Sequence, residues 1–410
     1  MKVIYRVSWL ALAVALAHSP ALAQATDIVA DTIPGNDLGT NVSTIGNVTT
    51  IDQGTLSGTN LYHSFANFDL AAGDVAQWVY SSGDPGGIAN VINRVTGGTP
   101  SSIAGMLDST ALPNADFYFI NPAGVLFGAG AEVNVPAAAH FSTSSELRFA
   151  NGDIFSIATP NGSTLSMAAP QSFGFLGGEG DIALTDIENG ASTFLPGGGA
   201  LTVAAADIML SNAFIGSNAL ALAAVGEIAA EVALDGTSAD LLQGMIGLGD
   251  GSWLQTWPGG CLDACLGNAG TIRLHAGSID ISSSSIVADF DAAVDSGGDR
   301  YVSLTATETV TVSDGFVMSN GYDAASAGAV LISAGTLVSL SNAQLSTYTA
   351  GSGDAGQLLV AAEGIALDSS TLISETYGDG AAGSISLDAG SWLYANGANI
   401  TSVSFAAGDA

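Results

Sequence analysis

The sequence predicts an all-β chain wound into a right-handed parallel β-helix, a single elongated coil with elaborations toward its N-terminus. The first observation is a repeat in the last third. Gly270-Thr-Ile-Arg-Leu274, Asp299-Arg-Tyr-Val-Ser-Leu304, Gly328-Ala-Val-Leu-Ile332, Gly356-Gln-Leu-Leu-Val360 and Gly383-Ser-Ile-Ser-Leu387 follow one another, with intervals of 30, 28, 28 and 27 residues between their last positions. The second is a phased partner motif, an aliphatic pair five positions apart: Ile281 and Ile286, Val312 and Val317, Leu340 and Leu345, Leu367 and Leu372. The third is the alternation of Val, Ile and Leu with Ser, Thr and Asp at period two, stopping at Gly, Asn and Ser, as strands do. Helical or leucine-rich repeats need a 3.6-residue period in every unit. Ser284-Ser-Ile-Val-Ala288 and Ser369-Ser-Thr-Leu-Ile373 offer none.

In such a coil, corresponding strands stack about 4.8 Å apart, so residues one period apart sit above one another and aliphatic ladders line the interior. Burying one aliphatic side chain is worth roughly 1.5–3 kcal/mol, whereas ordering each residue costs about 1–2 kcal/mol of backbone entropy. One turn alone cannot stay folded. Stability accumulates turn by turn.

Taken from the start of the chain, residues 1–23 read as a secretory signal. Lys2 and Arg6 precede an apolar run from Val7 to Ala17, and Ala21-Leu22-Ala23 supplies a small-residue cleavage site. The run is too short to span a bilayer comfortably, and no later segment reaches that length, so no transmembrane segment is expected after signal removal. Cleavage leaves Arg94, Arg148, Arg273 and Arg300 against 38 carboxylates, a net charge of −34 with no lysine. Four scattered arginines form no basic stripe, which argues against nucleic-acid binding and adhesion to anionic lipid. The acidity reads as a solvated surface that keeps a glycine-rich strand protein soluble.

Residues 41–180 are short strand candidates broken by turn signals, and they contain specific words. Ile92-Asn93-Arg94-Val95-Thr96-Gly97-Gly98, Pro100-Ser-Ser-Ile-Ala-Gly105 and Phe117-Tyr-Phe-Ile-Asn-Pro-Ala-Gly-Val-Leu-Phe-Gly128 resemble the N-terminal haemagglutination-activity domain of filamentous-haemagglutinin-like two-partner secretion exoproteins. The resemblance continues through Phe141-Ser-Thr-Ser-Ser-Glu-Leu-Arg-Phe-Ala-Asn-Gly152 and Pro170-Gln-Ser-Phe-Gly-Phe-Leu-Gly177, then weakly through Leu201-Thr-Val-Ala204 and Asp207-Ile-Met-Leu-Ser-Asn212. It covers roughly the first half of the mature chain. The family word Asn-Pro-Asn-Gly has Ala123 in its third place here.

The resemblance implies a secretion motif at Asn93, Arg94, Asn121, Pro122 and Gly124. It also implies export through the periplasm by a dedicated outer-membrane β-barrel transporter, whose periplasmic modules are the partner, and an adhesin that is secreted or displayed at the cell surface. Its host-cell or surface ligand is unknown from the sequence. The domain division expected is a signal at 1–23, a secretion-domain core at 24–155, a continuing β-helix with a Cys-containing loop at 156–266, and the repeats at 267–410. Independently of any family, Asn121-Pro-Ala-Gly124 fits a type I turn, with Pro presetting φ at the second place, and makes a corner between two apolar strands. Arg94, with Val91, Ile92 and Val95 beside it, reads as a partly buried arginine satisfied by carbonyls or by a carboxylate such as Asp84 or Asp108. A contact used in export is the competing reading.

Cys261 and Cys265 lie in the turn-rich Trp257-Pro-Gly-Gly-Cys-Leu-Asp-Ala-Cys265. An exported chain can keep a disulfide there if the backbone loops back, since an extended strand would hold the pair about 13 Å apart. A redox pair is disfavoured by CxxxC spacing without a βαβ pattern, and a metal site by the presence of His275 alone nearby.

A carbohydrate-active enzyme, a lyase or hydrolase, is the rival class. Beyond the signal the histidines are His63, His140 and His275, with no HExxH, no GxxxxGK[ST], no GxSxG elbow and no lysine base. No catalytic residue, cofactor or metal ligand is therefore nominated. Asp280, Asp314, Asp323, Asp354, Asp368 and Asp379 recur in or beside the repeats, and read as turn residues more than as paired acids. Gly351-Ser-Gly-Asp-Ala-Gly356 lacks the nine-residue cadence of a calcium roll. Gly408-Asp-Ala410 looks like the opening of a further repeat, so the chain is expected to be a fragment of a longer protein or a truncated exoprotein.

Overall fold

The computed structural model describes residues 25–187, 199–256, 270–291, 300–322 and 324–405. Strands dominate, and the two helical segments among the described residues are single 3-10 turns, Pro85–Gly87 and Pro160–Gly162. From Asn60 onward the solenoid strands pair in parallel, each on the strand one turn earlier. The fold is a parallel β-solenoid of about 12 turns among the described residues.

The repeat words stack as their spacing requires. Ile272, Val302, Val330, Leu358 and Ile385 are successive register partners, and so are Leu274, Leu304, Ile332, Val360 and Leu387 two positions on. The aliphatic pair behaves alike: Ile286, Val317, Leu345 and Leu372 form one column, and Ile281, Val312, Leu340 and Leu367 another. All eight residues of this second motif are buried in the one continuous core that runs along the coil. The five-residue spacing exists because a corner separates the two strands. At that corner Asn212, Ser283, Asp314, Asn342 and Ser369 take left-handed backbone, with φ between 48° and 53°. Asn, Asp and Ser bear this conformation better than β-branched residues, since a short polar side chain offers local hydrogen bonds.

Two elaborations break the pattern in the N-terminal half. The first turns are covered by antiparallel pairing: Asp27–Ala30 lies on Asn60–Asp69, and Thr40–Ile45 on Val48–Gln53. A separate four-stranded antiparallel sheet, made by Glu146–Phe149, Ile154–Ser156, Pro170–Leu176 and Ala229–Ala233, packs outside the coil. It encloses a second core. Tyr62, Ile92, Tyr118 and Ile120 from the outer face of the solenoid meet Leu147, Phe149, Phe155, Phe173, Phe175 and Val232 from the added sheet. Alternation therefore fails in these turns because both faces are buried, as in Asn90–Val95, where all six residues are buried.

Candidate functional site

The residues singled out in the sequence occupy two adjacent turns beneath the added sheet. The strand Asn90–Val95 lies between Asn60–Asp69 and Asp116–Ile120, with Asn93 opposite Phe119 and Arg94 opposite Ile120. Asn121 begins the corner directly after that second strand. Asn93 and Arg94 project to opposite faces, as neighbours on a strand must.

Asn93 points into the solenoid core. Its Oδ1 accepts the indole N–H of buried Trp78 at 2.8 Å, and its Nδ2 donates to the Tyr118 carbonyl at 2.9 Å. Arg94 points into the second core with no exposed surface. Its guanidinium donates to Ser64 Oγ, the Ser156 carbonyl, Ser163 Oγ and the Asn36 carbonyl at 2.8–3.0 Å, and lies 4.6 Å from the centre of the Phe155 ring. Burial draws its pKa down to about 10, against the field of Asp31, so the group stays charged at neutral pH. The sequence reading placed its partners among carbonyls or a carboxylate such as Asp84 or Asp108. Carbonyls and hydroxyls fill that role, while Asp84 caps the turn at Gly86 and Asp108 accepts from Gln77 and Thr110. Arg94 is also fully rather than partly buried, because the added sheet covers the face of the coil on which it sits.

The Asn121–Gly124 turn closes with the Gly124 amide on the Asn121 carbonyl at 3.0 Å, and the Asn121 Oδ1 accepts the Ala123 amide at 3.0 Å. Alanine suffices at 123, because only its backbone is used. The Asn121 Nδ2 reaches back one turn to the Thr99 carbonyl and Ser101 Oγ, its amide donates forward to the Ser142 carbonyl, and the Pro122 carbonyl accepts from Gly180. Gly124 sits at φ 122°, where a Cβ would stand 3.2 Å from the Asp181 carbonyl oxygen. The corner fastens segments about 60 residues apart in sequence into neighbouring rungs.

Several residues of this region escaped the sequence reading. Asn60 donates to the Ser166 and Ala168 carbonyls, accepts from Asn90, and is joined by the Tyr62 hydroxyl on Ser166. The signal was present, since Asn60 and Asn90 are register partners one period apart. His63 and His140 are buried, and burial drives both pKa values down to about 3. Cys261, Cys265, Asp323 and Gly408-Asp-Ala410 lie outside the described residues. Of the other repeat carboxylates, Asp314 and Asp368 accept the Asn342 and Asn396 amides of the next turn, and Asp354 accepts the Ala381 amide. Among the described residues no group of three or more His, Cys, Asp or Glu is placed to hold a metal, and no helix is long and apolar enough to cross a membrane.

The family described as the TPS secretion domain matches residues 30–251, an interval that contains the Thr40–Gln53 hairpin, both signature turns and the whole added sheet. The chain belongs to that family, the two-partner secretion exoproteins. The heme/hemopexin-binding protein of Haemophilus influenzae is 41% identical over 107 residues, which are 26% of this chain and 10% of that protein. The match thus spans about a tenth of the length of this curated relative. The solved HMW1 secretion domain from Haemophilus influenzae aligns over 92% of this chain and 100% of its own, at 15% identity and a TM-score of 0.49. Neither relative is named as an enzyme.

Proposed function

We propose that this TPS exoprotein is exported through a dedicated outer-membrane β-barrel whose periplasmic modules bind residues of the signature words before they fold, and that the solenoid then serves as a non-enzymatic adhesin at the cell surface. The observation that carries the reading is burial. Asn93, Arg94 and Asn121 have no exposed surface in the folded chain, and their polar atoms are spent on backbone carbonyls, hydroxyls and Trp78. A partner that reads these side chains must meet them in an unfolded segment. Folding outside the membrane then withdraws them, so capture and release need no separate signal.

The solenoid suits that route. Each emerging turn lands on the one before it, and the N-terminal cover and second core give the first turns a stable base on which later turns add. Export gains direction from folding beyond the pore. The exposed strand is captured by edge pairing, a mode that needs no charged motif. Heme binding, named for the Haemophilus relative, is not carried over, since the match spans so little of that protein.

The test compares release of the full chain in cells with and without the cognate barrel, and asks whether peptides 93–98 and 121–128 compete for its periplasmic modules. Loss of release without the barrel, with competition by at least one peptide, is the expected result. Equal release in both strains overturns the export reading, and failure of both peptides removes the recognition role from these words.

A further inference from the structure

We propose that the outer face of the solenoid around Trp253 and Phe316 binds an extended, uncharged polysaccharide. The inference rests on the adhesive reading only in requiring this face to be presented outside the cell.

The face is built by register. Phe214, Trp253, Ser285, Phe316 and Gln344 are successive partners in one outward column. Trp253 is 39% exposed and Phe316 is 46% exposed, while Ser285 between them is small and covered. The two large rings therefore stand two rungs apart, roughly 9.6 Å from the stacking distance of parallel strands. That is close to the length of one disaccharide along an extended β-linked chain, so both rings can meet equivalent sugars of one polymer. A pyranose offers an apolar C–H face to an aromatic ring and a rim of hydroxyl donors around it. Half-exposed large rings on a strand face that also carries Gln255, Ser285, Asn320 and Gln344 leave apolar surface in water, a cost that a ligand removes.

The rim is matched by the corner beside the column. Asp250 and Asp314, both in left-handed backbone, stand three and two positions ahead of Trp253 and Phe316, in the corners that lead into the two aromatic strands. Asp250 accepts Ser211 Oγ, and Asp314 accepts Asn342 Nδ2, so each is held in place by a neighbouring turn. Carboxylates accept hydroxyl hydrogens and repel carboxylated or sulfated sugars. A chain of formal charge −32 reinforces that exclusion. Charge thus selects against anionic glycans, and ring spacing selects for length.

The purified full chain is run through native gels containing hydroxyethyl cellulose or galactomannan, with alginate as the anionic comparator. Retardation by at least one uncharged polymer and none by alginate is expected. Trp253→Ala and Phe316→Ala should each weaken it about tenfold, while Met167→Ala, at an exposed position between the added-sheet strands Ile154–Ser156 and Pro170–Leu176, should leave it unchanged. Circular dichroism checks that the variants are folded. No retardation by either uncharged polymer, retardation of both aromatic variants equal to that of the wild type, or preference for alginate overturns the proposal. Release of the wild-type chain with and without the cognate barrel is scored apart, so equal release in both strains with intact binding counts against the transporter reading alone.

Discussion

Mild acid should loosen the N-terminal half of this solenoid, and His63 and His140 should be the cause. The His140 ring stacks on Tyr118 at 4.5 Å with its Nδ1 buried and unpartnered, and His63 is buried with Nε2 unpartnered and Nδ1 3.3 Å from Thr40 Oγ1. Desolvation lowers both to about 3, and only for His63 does Asp52 pull the other way. A base whose folded pKa is depressed contributes stability that is complete above the unfolded value near 6.5 and drains away as pH falls toward the folded value. At pH 5.5 the unfolded imidazole is mostly protonated and the folded one is not. The loss is then about 1.4 kcal/mol per histidine and about 3 kcal/mol for both, set by the unfolded pKa alone because pH 5.5 lies far above 3. Asp116, Asp181, Asp280 and Glu375, whose pKa values burial raises, act in the opposite sense. The comparison is therefore with His63→Gln combined with His140→Phe. Pulse proteolysis in urea at pH 7.5 and 5.5, following the 25–187 region, should show the wild type losing stability that the double variant keeps. Equal losses in the two proteins would refute the reasoning.

Further outcomes follow from the same geometry. Asn93→Leu strands the Trp78 indole N–H and the Tyr118 carbonyl, and urea unfolding should show a loss of about 1–3 kcal/mol for each orphaned group. Arg94→Ala leaves the Asn36 carbonyl and Ser64 Oγ without the guanidinium donor, while the Ser156 carbonyl keeps the Ser163 hydroxyl, and should cost about 1–3 kcal/mol for each orphaned group, with faster proteolysis of the 150–168 segment; lysine should restore little, since one ammonium cannot reach four oxygens on three segments. Gly97→Ala should abolish folding of the first turns, because its Cβ would lie 1.8 Å from the Ala66 carbonyl oxygen; loss of near-ultraviolet dichroism reads this out. Leu340→Ala, deep in the repeat ladder, should cost about 2–5 kcal/mol, with hydrogen exchange rising in the turns around it and not in the N-terminal cover.

What the sequence determined by itself is the solenoid. Spacing near 28 residues and two-residue alternation place Ile272 under Val302 and Ile286 under Val317, and a strand ladder has no other way to bury such a pattern. The Asn121–Gly124 corner was legible for the same reason, since turn chemistry is local. The added sheet was not, because its strands pair antiparallel across gaps in sequence and cover a face that alternation alone would assign to solvent. Arg94 shows the consequence: its neighbours in sequence pointed to partial burial, whereas its partners come from Asn36, Ser64, Ser156 and Ser163, and only tertiary packing brings those four together. Periodic burial is written into adjacent residues, but satisfaction of a buried polar group depends on which distant backbone atoms arrive beside it, and that is decided only when the layers close.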